Sequence, residues 1–334
     1  MSDETDRSML LNAYRLPESG GGAVRLSWSD IEAGPPEHAW VDLDRKADGV
    51  EAWLRDAAGL DPIAVTALLQ EETRPRASIL PGGTIVILRA VNFTEGAEPE
   101  DLVVVRMFVQ EDRVFTLRKF PMRAIEDLCS GLESVDPPMS PGAVVVSLAR
   151  RISDRMETVI DQLAEQGGQL ETDSDALIEH TDDAPEVRDL RARSANIRRR
   201  TTILQRYLSP QCDALRALAE GDHEWLNVRQ SAKIRELVDR LTRDLEDLER
   251  VYEQTRVASE TITTHLSEQT AEITTRLTIV AAIFLPLSLV SGVLGMNVTG
   301  IPLGDHPWSF LVTCAALLVI GVGLWLYFRD KRWL

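Results

Sequence analysis

The sequence predicts an α+β cytoplasmic domain, then long stalk helices, then two C-terminal transmembrane helices. Three observations carry this fold class. Short β-rich runs alternate with helical patterns between residues 39 and 120, helical patterns dominate from Ala143 onward, and two uncharged apolar runs lie near the C-terminus. Charge is dense up to Arg276 and almost absent from Leu277 to Phe328, so the membrane part is confined to the end of the chain.

The composition narrows the possible partners. The 334 residues carry 53 acidic against 36 basic side chains, a formal net charge of -17. Because phosphate backbones bind basic faces, this balance argues against a nucleic-acid partner and favours cations, although a solvated acidic surface explains it equally well. The cysteines at 129, 212 and 314 form no close pair, which indicates neither a disulfide framework nor a thiolate zinc site. The start, MSDETDRSML, lacks the pattern of a signal peptide, so we expect the first domain in the cytoplasm.

The first domain is predicted to span residues 1–142. Its strands are indicated by AWVDL and TIVILRAVNF and its helices by VEAWLRDAAG and PIAVTALLQEE, while LVVVRMFV and RVFTLR, separated by QED, indicate a hairpin. The segment VDPPMSPG then breaks the chain before cytoplasmic helices at 143–223.

Residues 224–298 are predicted to form one stalk helix that continues into the first membrane span. Its seam residues recur four and three apart, a heptad pattern: Ile234, Val238, Leu241, Leu245, Leu248, Tyr252, Thr255, Ser259, Ile262, Leu266, Gln269 and Ile273. The upper seam is too polar for a dry core, so we expect neighbouring subunits to cover the seam in a ring. A two-stranded coiled coil is the alternative.

Two apolar runs have the length that crosses a bilayer as a helix. The first ends the 224–298 segment, an external loop follows at 299–307, and the second run occupies 308–328 before a basic cytoplasmic tail at 329–334. A buried hairpin of a soluble protein is the alternative. Lys and Arg flank the runs but are missing from the loop, which predicts that both termini face the cytoplasm.

The first run ends in Gly295, Met296 and Asn297, just before the loop and the second span. In that position the tripeptide resembles the signature of the CorA family of divalent-cation transporters. The resemblance covers most of the chain and implies a funnel-shaped homopentamer whose stalk and first span line an axial pore. The segments NVTGIPLGDHPW, EETRPR and GAEPEDLVVVRMFV look more like the ZntB zinc-transport branch, because Leu303 and Gly304 stand where magnesium members tend to have Glu-Leu. That branch implies zinc transport and leaves coupling to protons open.

One face of the first span has the pattern of a pore lining. Small, polar and leucine residues recur every three or four positions there: Thr274, Leu277, Ala281, Leu285, Ser288 and Gly292. Leucines would resist wetting and hydroxyls would meet a hydrated ion, although ordinary helix packing produces a similar stripe.

Asn297 is the strongest candidate for ion selection. Its amide oxygen, repeated around a ring, would accept hydrogen bonds from the water held by a dication; a surface helix cap is the alternative. Gly295 and Met296 would have structural roles. Asp305 and His306 are weak candidates for an external metal collar, and a solvated loop is the other interpretation.

The sequence thus predicts uptake of zinc across an inner or plasma membrane by a homo-oligomer, with membrane lipid as its surroundings. A magnesium, cobalt or nickel channel is the alternative, and a membrane-tethered scaffold a remote one. We find no phosphate-binding loop, nucleophile elbow or His-Glu-x-x-His pair, so neither an enzyme nor a bound cofactor is expected.

Overall fold

The computed structural model describes residues 9–17, 21–71, 74–93, 96–98, 100–132, 138–180, 184–296 and 308–331. The chain divides into two compact units. The larger contains residues 1–176 and 182–258, and the smaller contains residues 177–181 and 259–334.

The larger unit begins with the α+β part. Its strands are β1 (Leu10–Arg15), β2 (Val24–Arg25), β3 (Ala39–Asp44), β4 (Arg76–Leu80), β5 (Gly83–Ala90), β6 (Val103–Val109) and β7 (Arg113–Arg118). Short helices lie between and after them: α1 (Trp28–Ile31), α2 (Val50–Asp56), α3 (Pro62–Leu69) and α4 (Arg123–Leu132). Four long helices complete the chain: α5 (Pro141–His180), α6 (Ala184–Glu220), α7 (Val228–Leu294) and α8 (Ser309–Asp330).

The strands form one mixed sheet in the order β2-β1-β3-β7-β6-β5-β4. All neighbours are antiparallel except β3 and β7, which run parallel with Val41 opposite Phe115. The predicted β6–β7 hairpin is confirmed, with Met107 opposite Thr116.

Both faces of the sheet are covered. The alternation of β5 sends Ile85 and Ile87 into a core that also contains Trp53 of α2 and Leu68 of α3. On the other face Thr84 Oγ1 accepts a hydrogen bond from the indole nitrogen of Trp225 at 3.1 Å, just before α7 begins.

A buried polar chain crosses β3 and β7. Trp40 donates to Thr116 Oγ1 at 3.1 Å, and Thr116 donates to Asp42 Oδ1 at 2.8 Å. Arg118 completes the chain with an ion pair to Asp42 at 3.1 Å. Burial raises the pKa of Asp42 despite the opposing influence of Arg118.

The seam of α7 corrects one expectation. We expected neighbouring subunits to cover the seam, yet its N-terminal half, from Ile234 to Thr255, is already largely buried within the single chain. Ile234, Leu241, Leu248 and Thr255 are each fully buried. Contacts from the preceding helices explain this: Ser194 of α6 donates to the Thr255 carbonyl at 3.2 Å, and Gln254 donates to Glu171 of α5 at 3.0 Å. The upper seam behaves differently, since Ile273 is 64% exposed.

The seam is also displaced at every second position. Leu237, Asp244, Val251 and Ala258 are buried one residue before the predicted Val238, Leu245, Tyr252 and Ser259. Val238 is buried as well, but Tyr252 is 40% exposed. Since a heptad repeat fixes only the spacing, the side on which the covering helices lie decides which of two adjacent residues is buried.

Candidate functional site

Among the described residues of the smaller unit, two helical segments are long and apolar enough to cross a membrane: the C-terminal part of α7, called upper α7 here, and α8. Only 6% of the most apolar window of α7 is buried, and none of the corresponding window of α8. Leu277 is 71% exposed and Phe310 80%. A soluble protein does not leave so much contiguous apolar surface uncovered, so these helices require lipid or other protein chains around them.

Upper α7 has one partly covered stripe, which we call the covered stripe: Ile279, Ile283, Leu287 and Val290. Its counterpart on α8 comprises Leu317, Gly321, Leu324 and Phe328, all half-buried. A methyl group added to Gly321 would lie 3.6 Å from Leu287 Cδ1, so the two helices pass each other here at close range. Small residues at such a crossing are typical of helix packing in membranes.

The predicted pore-lining residues lie on the other side of α7. All of them are exposed, and we call this set the uncovered face: Thr274, Leu277, Ala281, Leu285, Ser288 and Gly292. At roughly 100° of rotation per residue, this face and the covered stripe point in directions about 180° apart. One side of the helix thus meets α8 while the opposite side is left without a partner in the single chain.

Hydroxyl groups are oriented along the base of this face. Thr274 Oγ1 donates to the carbonyl of Thr270 at 2.7 Å, and Thr270 Oγ1 donates to the carbonyl of Leu266 at 2.8 Å. Because each proton is used in a backbone bond, the oxygen lone pairs remain to accept hydrogen bonds from outside the helix. Such oxygens suit the water molecules around a cation.

Upper α7 ends at the tripeptide. The Gly295 amide still donates to Ser291 O at 2.9 Å, and the Met296 amide donates to Val293 O at 3.4 Å. A methyl group on Gly295 would approach Ser291 O to 3.1 Å, which favours glycine at this turn. Asn297, Asp305, His306 and the predicted loop at 299–307 lie outside the described residues.

Aromatic and charged side chains mark the ends of the apolar helices. Trp308 and Tyr327, at opposite ends of the second run, are 62% and 58% exposed. The Arg329 guanidinium lies 5.0 Å from the centre of the Trp325 ring. Arg276 pairs with Glu272 at 2.6 Å, directly before the first uncharged run. Amphipathic rings with cations beside them are typical of membrane–water interfaces.

The sequence analysis missed an acidic cluster where α5 and α7 pack together. Asp244 of α7 is only 7% exposed and faces Glu157 and Asp161 of α5. Burial, and then the charge of Glu157, raise the pKa of Asp244 to about 6. Arg240, one turn away, forms ion pairs with Asp154 at 2.9 Å and with Glu157. Within the described ranges, no group of three or more His, Cys, Asp or Glu side chains is arranged to hold a metal ion.

These features define an integral membrane protein with a large α+β and helical part and two C-terminal spans. Comparison with known proteins identifies its family. Residues 36–332 match the family model described as CorA-like Mg2+ transporter protein. The divalent cation transporter CmaX of Pseudomonas aeruginosa is 37% identical over 332 residues, which are 98% of each chain. The zinc transport protein ZntB of Pectobacterium atrosepticum is 30% identical over 334 residues, with 99% of this chain and 98% of the relative covered.

Solved structures agree in fold. The structure of full-length CmaX has a TM-score of 0.79 at 35% identity and covers 98% of this chain and 99% of its own. The CorA magnesium transporter of Methanocaldococcus jannaschii also has a TM-score of 0.79, at 17% identity, over 97% and 98% of the two chains. The chain belongs to the CorA family of divalent-cation transporters. The predicted α+β domain, long helices and two C-terminal apolar helices are confirmed, as is the predicted resemblance to this family.

Proposed function

We propose that this chain is one subunit of a homopentameric transporter that takes zinc into the cytoplasm through an axial pore. The uncovered face of α7 carries the proposal. Its hydroxyls and small residues alternate with leucines, and it lies opposite the side that packs on α8. Five such faces around one axis would enclose a path with both polar and apolar constrictions.

Leu277 and Leu285 of the uncovered face resist wetting when the helices are close, and Thr274 and Ser288 accept the hydration water of the ion. Asn297 forms the outer ring, where neutral amide oxygens hold a hydrated dication without trapping it. Gly295 and Met296 shape the end of the helix, and Asp305 with His306 forms a weak external collar.

The larger unit lies in the cytoplasm in this proposal, as do both termini, and the membrane is the inner or plasma membrane. Residues 1–142 form the first cytoplasmic domain, 143–223 the helices that support the stalk, 224–298 the stalk and first span, 299–307 the external loop, 308–328 the second span and 329–334 the tail. A dication that moves inward then gains about 4.6 kcal/mol per 100 mV of membrane potential.

Zinc as the transported ion is supported by the 30% identity to a zinc transport protein over the whole chain. Magnesium is the alternative, and the description of the family model favours it. An octahedral hydrated ion of either kind would suit a pore lined by hydroxyl and amide oxygens.

Metal uptake into liposomes that contain the purified protein tests the proposal. Zinc flux that exceeds magnesium flux is the expected result, and a response to an imposed pH gradient would establish proton coupling. Magnesium flux that exceeds zinc flux and ignores pH would move the protein to the magnesium alternative. No flux of either ion would contradict transport and favour the tethered scaffold.

A further inference from the structure

A cavity of about 820 Å³ lies in the larger unit where α5 and α7 begin. Four cationic side chains line it against a single carboxylate, Asp154: Arg150, Arg151, Arg229 and Lys233. This concentration of positive charge stands out in a chain whose net charge is -17. Pro138, Met139 and Val146 add an apolar part to the lining.

The two helix N-termini are tied together at this cavity. Gln230 and Asn227 cap each other reciprocally at the start of α7, with N–H···O distances of 2.9 and 3.0 Å. The side-chain amide of Gln230 also donates to Ser140 Oγ at 2.9 Å. The same oxygen accepts a hydrogen bond from the backbone N–H of Ala143 at the start of α5. The positive ends of two helix dipoles, from helices of 40 and 67 residues, therefore meet beside the same cavity.

Three of the four cations, all except Arg150, lack an acidic partner among the described residues. Arg229 and Lys233 have no ion-pair partner among the residues that the structure describes, and Arg151 bonds the neutral Ser147. The one carboxylate, Asp154, is already shared between Arg240 at 2.9 Å and Arg150 at 3.7 Å. The cavity therefore keeps an excess of positive charge.

Helix stability does not explain these side chains. Acidic residues stabilise the first turn of a helix and basic residues destabilise it, because the N-terminal end of the dipole is positive. Neither α5 nor α7 has an acidic residue in its first turn. Arg229 instead occupies the first turn of α7, and Lys233 follows one turn later. A bound anion would turn this unfavourable arrangement into a favourable one.

We propose that this cavity binds a phosphate-bearing small molecule of mononucleotide size. Arg151, Arg229 and Lys233 hold the phosphate through charge-assisted hydrogen bonds, and the positive ends of the two helix dipoles favour its negative charge. Met139 and Val146 take the apolar part of the ligand. The volume lies within the range of about 300–1,000 Å³ that is usual for small-molecule sites. The site does not depend on which metal ion the protein transports.

Calorimetric titration of the full-length protein in detergent tests this site, with AMP as the probe in a metal-free buffer. We expect saturable binding. In the double variant Arg229→Ala/Lys233→Ala the affinity should fall about tenfold or more, because two charge-assisted contacts are lost. The matched control, Arg188→Ala/Arg198→Ala, removes the same charge from exposed positions of α6 outside the cavity and should bind AMP like the parent chain.

Two smaller probes separate the sources of the phosphate. Inorganic phosphate and glycerol 3-phosphate, the latter an analogue of a lipid headgroup, should displace AMP only at higher concentrations, because they leave the apolar lining empty. Displacement by either of them as effective as by AMP itself would overturn the mononucleotide assignment. Absence of saturable AMP binding, or equal affinity in the double variant, would overturn the site. A normal unfolding temperature of the unliganded double variant excludes misfolding as the cause of lost binding.

Discussion

Asp244 is the residue whose surroundings differ most from what the sequence indicates. The heptad pattern assigned Leu245 to the seam, but the carboxyl before it is buried against α5. Nothing in the local sequence distinguishes this aspartate from the exposed acids around it. Its burial depends on where α5 packs, and the residue pattern of α7 alone does not reveal the position of α5.

The raised pKa of Asp244 predicts a pH-dependent stability. The folded chain holds the Asp244 proton more tightly than the unfolded chain does. The stabilisation of the folded state by this proton is therefore fully present below the ordinary pKa of 3.8 and is lost as the pH rises through about 6. Asp244→Asn removes that loss. At pH 8 we expect the free energy of unfolding of the variant to be higher than that of the parent chain by on the order of 1 kcal/mol, after allowance for solvent screening. Near pH 4 the two free energies should be equal.

Thermal unfolding at the two pH values measures this difference. The exposed Asp239→Asn change on the same helix is the control and should alter neither curve. An Asp244→Asn chain that is less stable than its parent at pH 8 would show that the charged carboxylate stabilises the packing of α5 on α7.

Asn297 is the residue on which ion selection depends in the proposed pore. Asn297→Ala removes the amide oxygen that accepts hydrogen bonds from a hydrated dication, so flux into liposomes should be lost. Because the change removes only a small side chain, native mass spectrometry should find the proposed assembly unaltered. Undiminished flux with an intact assembly would refute the selectivity role.

Among the elements, α7 was the easiest to predict and the short strands the hardest. The sequence has no helix breaker from Trp225 through Ala282, and the observed helix begins at Val228 and continues past Pro286 to Leu294. A span can tolerate this proline because the surrounding helix still satisfies most of its backbone groups. Strand β4 was missed since its burial does not alternate, and β1 since Asn12 interrupts its apolar run. The Asn12 amide bonds Asp42 on β3 at 3.0 Å, a partner that only the assembled sheet supplies.

Two adjacent glycines of α5 test the packing of that helix on α7. A methyl group on Gly167 would lie 2.9 Å from Gln254 Oε1 and 3.3 Å from Val251 Cγ1, whereas one on Gly168 would meet nothing within 4 Å. Gly168→Ala should therefore stabilise the chain by about 0.5–1 kcal/mol through backbone entropy. Gly167→Ala should be less stable than Gly168→Ala by about 1 kcal/mol, because the new methyl group forces the side chains of Gln254 and Val251 to move.

Chemical denaturation of the two variants measures that difference. Equal gains from both substitutions would show that α5 and α7 are not closely packed at Gly167.

At the scale of the whole molecule, the sequence alone was sufficient for the family and the two apolar spans. It was not sufficient to predict which parts of α7 pack on other helices of the same chain and which parts stay exposed. The preceding helices cover the N-terminal part of its seam and α8 packs on the covered stripe. The uncovered face stays exposed in the single chain, as do apolar side chains beside it such as Phe284 and Leu289. The pattern of residues on α7 resembles one continuous seam, and only the packing of α5, α6 and α8 separates it into parts with different partners.

Accessibility of the two sides of α7 during transport tests the proposed pore most directly. In a chain whose cysteines at 129, 212 and 314 are replaced, a single cysteine is introduced at Ser288 of the uncovered face or at Val290 of the covered stripe. Divalent-cation flux into liposomes is then measured before and after treatment with a membrane-impermeant cationic thiol reagent. The proposed pore predicts that flux through Ser288→Cys is blocked and that flux through Val290→Cys is preserved. Block at Val290→Cys with none at Ser288→Cys would contradict it, because the ions would then pass along the side of α7 that faces α8.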